Sequence, residues 1–138
     1  MKKELQDKLF KKYPALFRQK DLSPQDTAMC WGISCGDGWY DLLEALCGNI
    51  DNRLQNVNRN KPDNEKLTCE AVQVKEKFGG LCFYTCGGDD YIDGLIDMAE
   101  SMSYRLCTLC GNRMVENNNR SRGWIYTVCG PCKETNEK

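Results

Sequence analysis

The chain has 138 residues, 41% hydrophobic and 28% charged, with ten cysteines, no histidine and a formal net charge of −1. That size and apolar content fit one domain with a real core and exclude a disordered chain. The near-zero charge excludes a global basic field for nucleic acid, and the absence of histidine removes the common catalytic zinc sets.

Charge is nevertheless segregated. Residues 1–20 carry seven bases against two acids, 21–52 carry six acids and no base, and 78–104 carry five acids and no base. Only the two ends can supply a local basic field. No apolar run approaches the roughly 20 residues needed to span a bilayer, and the basic N-terminus lacks the apolar core of a signal peptide. The expectation is a cytoplasmic protein without a membrane role. Thiols stay reduced there, so ten cysteines point to metal or buried thiols before disulfides.

The first predicted element is an amphipathic helix over 2–12, with Leu5 and Leu9 on one face, lysines on the other, and Pro14 ending it. After a turn at Ser23-Pro24 comes the apolar stretch Met29 to Ile33, then "CGDGWYDLL". Asp37 is the expected N-cap of a second helix whose apolar stripe is Trp39, Leu42, Leu43, Leu46, Ile50 and Leu54. Residues 56–66 read as an exposed loop. A β-hairpin follows, with Val72 and Val74 alternating, Gly79-Gly80 supplying the turn, a register in which Lys77 or Phe78 is the alternative turn residue, and Leu81 to Cys86 returning. The third helix buries Ile92, Leu95, Ile96, Ala99 and Met102, with Asp89 or Asp90 at its cap. Composition shifts near Arg105. The chain therefore divides into a body over 1–105 and a module over 106–138, expected to pack together as one unit.

That module carries Cys107, Cys110, Cys129 and Cys132, spaced C-x2-C-x18-C-x2-C. Two residues between cysteines let a tight turn aim both sulfurs at one point, and two such turns complete a tetrahedral shell for zinc. Four thiolates leave no open position, so one structural zinc ion is expected. Between the pairs, "NRMV" and "GWIYTV" read as strands around the loop "ENNNRSR", and a short helix runs through Lys133 and Glu134. Over 107–135 this arrangement resembles a treble clef or zinc ribbon. A thioredoxin-like redox motif would need a βαβ context that is missing.

Of the other cysteines, Cys30 with Cys35 and Cys82 with Cys86 could meet in a second site, although buried thiols are the commoner use. Two aromatic-glycine stretches, 35–40 and 75–84, offer a candidate binding surface of Asp37, Trp39, Lys77, Phe78 and Tyr84. Arg113, Arg120, Arg122 and Lys133 are the candidate nucleic-acid contacts of the C-terminal module. Asp37, Asp41 and Lys77 are the candidates if the chain is instead a small hydrolase acting on a nucleotide or nucleic acid through carboxylates and lysine.

"CWGISCGDGWYDLL", "VQVKEKFGGLCFY" and "YRLCTLCG…GWIYTVCGPC", in that order, resemble a group of small uncharacterised proteins common in bacterial and phage genomes. The resemblance runs from about Trp31 to Cys132 and implies a setting without a mechanism. Members have arginine at the position of Cys82, which argues against Cys82 as a ligand. The combined expectation is an α+β fold, with helices on a β-hairpin closed by a four-cysteine zinc module. Its expected role is that of a non-enzymatic binding protein, a phage or mobile-element accessory factor engaging a host protein or nucleic acid.

Overall fold

The structure is a computed structural model that describes residues 1–113, 120–121, 124–125 and 127–136. It is α+β: α1 (Lys3–Lys12), β1 (Ile33–Ser34), α2 (Tyr40–Asn58), β2 (Cys69–Lys77), β3 (Gly80–Gly87), α3 (Asp90–Ser103), β4 (Arg120–Ser121), β5 (Trp124–Ile125) and α4 (Gly130–Asn136). One sheet has the order β1-β2-β3, with β1 parallel and β3 antiparallel to β2, and β4 pairs antiparallel with β5. The expected two-stranded hairpin is thus extended by a short parallel strand, Ile33 facing Val74 and Ser34 facing Lys75. Two residues of pairing are too few to show as alternation in the sequence.

Leu9, Phe17, Met29, Trp39, Leu43, Ile50, Val74, Leu81 and Ile92 fill the core between the helices and the sheet. Ala71 and Val74 both point into it, because a bulge between Ala71 and Gln73 inserts one residue and resets the period. The simple alternation expected of Val72 and Val74 is corrected there: Val72 is the bulged residue and only half-buried. In α3 the buried face ends on Ser103, not on Met102, which is 37% exposed. The Ser103 hydroxyl receives the Leu81 amide at 2.9 Å and donates to the Glu100 carbonyl, so α3 satisfies an edge donor of β3.

Asp89 caps α3 as expected, accepting from the Ile92 amide at 3.0 Å, and Arg53 of α2 pairs with it at 3.0 Å. Asn58 closes the loop after α2, accepting from the Leu67 amide at 2.7 Å and donating to the Leu67 carbonyl at 2.8 Å. Asp37 does not cap α2. It opens a 3-10 turn, Asp37–Trp39, and accepts from the Lys2 amide at 2.7 Å, at the start of α1. The expected cap of α2 is thus replaced by a contact with the segment that leads into α1.

Gly94 lies mid-helix on the exposed face of α3, and an added Cβ would meet nothing within 4 Å. Gly94→Ala should therefore stabilise the fold by up to about 1 kcal/mol, read as a higher melting temperature.

Candidate metal centre

The four Sγ atoms of Cys107, Cys110, Cys129 and Cys132 lie within 4.8 Å of one another, with Cys110 and Cys129 at 3.6 Å. A tetrahedral shell with metal–sulfur bonds near 2.3 Å puts its sulfurs about 3.8 Å apart. The donor set and its spacing thus fit a metal ion. Among the described residues no other group of three or more cysteines and carboxylates gathers in this way.

Local backbone builds each turn. In the first, the Gly111 amide donates to the Cys107 carbonyl at 2.8 Å, and Gly111 holds φ +78°, a conformation glycine adopts without strain. In the second, Cys129 and Cys132 straddle the start of α4, where the Lys133 amide donates to the Cys129 carbonyl at 2.9 Å. Burial works against the thiolate of Cys107, but the amides of Cys129, Cys110 and Leu109 bring it down to about 7. Hydrogen bonds with Cys110 and Cys129 push Cys132 up to about 12. Thiols this close cannot all ionise unaided, and a divalent cation removes that conflict.

The module is bonded to the body through Leu106, Thr108 and Thr127, and the glycine motifs are where this happens. The Gly38 amide donates to the Thr108 carbonyl at 2.8 Å and the Gly36 amide to the Thr108 hydroxyl at 3.1 Å. A Cβ on Gly36 would lie 2.0 Å from the Thr108 carbonyl oxygen, and one on Gly38 2.2 Å from that of Cys107. "CGDGW" and "CTLCG" therefore meet backbone to backbone, which no side chain would allow. Trp39, fully buried, donates its indole N–H to the Leu106 carbonyl at 2.9 Å. Thr108 also takes the Thr127 carbonyl on its amide at 2.8 Å, and the Thr127 hydroxyl donates to the Gly79 carbonyl in the β2–β3 turn.

Glu76 of β2 lies beside these threonines. Burial raises its carboxyl, while the Thr127 amide and Thr108 hydroxyl pull it back, and Oε1 finds no partner among the described residues. A raised acid favours the folded state at low pH, and that advantage is lost as pH climbs from about 4.5 through the folded value. Glu76→Gln mimics the neutral acid. Its melting temperature should exceed the wild-type value near neutral pH, with the gap closing below about pH 4.5. A gap independent of pH would contradict this.

The other expected residues separate. Trp39 belongs to the core and offers no surface, which corrects its place in the binding set. Asp37 is engaged with Lys2, whose ammonium lies 3.7 Å away, and Asp41 is exposed on α2. Lys77, Phe78 and Tyr84 are exposed together on the β2–β3 pair. Phe78-Gly79 forms the turn, with φ +52° and +82°, while Gly80 is already in β3 opposite Lys77 and under the Tyr104 ring. Of the two registers the sequence allowed, the turn is therefore the one that includes Phe78, and Gly80 is not part of it. Arg113 and Lys133 are exposed, Arg120 lies in β4, and Arg122 lies outside the described residues, as do "ENNN" and the residues around it.

Burial pushes the Cys35 thiol up to about 12, Cys69 up to about 11 and Cys47 higher still, so these are packing thiols. An open cleft of about 610 Å³ between α2 and the start of β2 has no cysteine of the quartet in its lining, and its Arg18 and Lys66 are paired with Glu70 and Asp63. Among the described residues no helix is long and apolar enough to cross a membrane. Comparison with protein families, curated proteins and solved structures gives no match to this chain.

Proposed function

We propose that the quartet holds one zinc ion in a closed structural site of treble-clef type, and that the chain is a non-enzymatic, zinc-stabilised binding protein. Zinc is the hard-to-better occupant of a four-thiolate tetrahedral set in a reduced compartment. The observation that carries the reading is the docking of the cysteine turns on the body: Thr108 on Gly36 and Gly38, and Thr127 on Gly79. A metal placed there organises two segments of the body, the "CGDGW" bend and the Lys77–Gly80 turn. It has no coordination position left for a substrate. The partner class is a host protein or a nucleic acid, in keeping with the resemblance to bacterial and phage proteins and with a cytoplasmic setting.

The test is capture. Immobilised zinc-loaded protein, offered a bacterial lysate at low salt, should retain a macromolecule and release it when a strong chelator removes the metal. Failure to retain any macromolecule, with zinc bound and the fold intact, would contradict the binding role.

A further inference from the structure

The outer face of the β2–β3 pair follows from its register. Val74 and Glu76 face Phe83 and Leu81 on the inner side, so Gln73, Lys75 and Lys77 lie with Tyr84, Cys82 and Gly80 on the outer side. Tyr84 is 45% exposed there, and Tyr104, 38% exposed, lies over Gly80. Phe78 stands at the end of the same pair, 70% exposed, with the Lys77 ammonium 5.6 Å from its ring centre. Among the described residues seven ion pairs occupy lysines and arginines elsewhere, and none involves Lys75 or Lys77. Glu100 of α3, close enough to Tyr84 and Tyr104 to act on both phenols, marks the acidic border of this face.

Phe78 is the telling residue. Its φ of +52° is one that bulky side chains rarely adopt, in a two-residue turn that favours asparagine, aspartate or glycine. Such strain is costly and persists only where the surrounding structure holds it. Burial could offset that cost, yet the ring is mostly in solvent. The turn is nonetheless held in place, since the Gly79 carbonyl is bonded by Thr127 of the cysteine module. A strained, exposed aromatic on a fixed turn, beside unpaired cations and two further exposed rings, matches a stacking surface next to phosphate contacts.

We infer that this outer face is a binding platform for single-stranded nucleic acid, with Lys75 and Lys77 on phosphates and Phe78, Tyr84 and Tyr104 on bases. This rests on the reading of the chain as a binding protein and names its partner class. Single strands are favoured over a duplex because only unstacked bases present the π-faces such rings need. The cysteine module serves the site by fixing the turn that carries Phe78.

The experiment is a fluorescence-anisotropy titration of zinc-loaded protein with labelled oligothymidylate and oligouridylate, and with a duplex of matched length. Single strands should bind more tightly than duplex, with a slope of log K against log salt of about −1.4 for two phosphate contacts. Phe78→Gly suits the turn and should leave the melting temperature equal or higher. It should weaken binding by roughly 5- to 150-fold, the loss of one stacked base. Lys75→Gln with Lys77→Gln should reduce the slope by about 1.4. No binding of either single strand at low salt would overturn the inference, as would a folded Phe78→Gly variant that binds as wild type does. Capture of a lysate protein alone, insensitive to nuclease, would overturn the nucleic-acid assignment while leaving the binding role standing. Loss of all capture would overturn both.

Discussion

Trp39→Ala is expected to cost about 3–5 kcal/mol, the range for truncating a buried large aromatic. The indole is fully buried where α2 begins, and its N–H reaches the Leu106 carbonyl one residue before the first cysteine. Truncation removes core volume and also leaves that carbonyl without its donor. Trp39→Phe separates the two effects: most of the volume stays, and the unpaired carbonyl alone should cost about 1–3 kcal/mol. Thermal melts of the three zinc-loaded proteins measure both. An alanine variant as stable as wild type would mean that Trp39 lines a surface, contrary to its burial.

Gly38→Ala should be nearly as damaging, for a different reason. The new Cβ would lie 2.2 Å from the Cys107 carbonyl oxygen and 2.4 Å from the Gly111 nitrogen, and both are backbone. No side chain can swing away, so the first cysteine turn must leave its dock or the "CGDGW" bend must open. A cost at or above the top of the roughly 1–3 kcal/mol typical of overpacking is expected, seen as a fall in melting temperature on the order of 10 °C. Gly94→Ala, where the same methyl group enters open space, is the matched control. Equal melting temperatures for Gly38→Ala and wild type would show that the two backbones do not meet.

Local signals made much of the fold legible before the structure. Apolar spacing marked α1, α2 and α3, Asp89 marked a cap, and the two C-x-x-C pairs named all four cysteines that gather. Non-local contacts were not legible. Asp37 read locally as the cap of α2, but tertiary structure gives it the Lys2 amide and no helix to cap. The two-residue strand β1 and the bulge at Val72 leave no periodic trace. The glycines of "CGDGW" and "FGG" suggested a binding cleft, because close backbone approach and ligand approach demand the same residue. At Gly36 and Gly38 what approaches is the protein's own cysteine turn. Thr108 and Thr127, which join the module to the body, carry no pattern that would single them out, and Glu76 read as an ordinary strand residue.

Metal content measures the central claim most directly. The protein purified under reducing conditions should hold close to one zinc per chain by elemental analysis. Four free thiols should become reactive on chelation, as Cys107, Cys110, Cys129 and Cys132 are released. Absence of zinc, together with a disulfide among these four cysteines, would contradict the account.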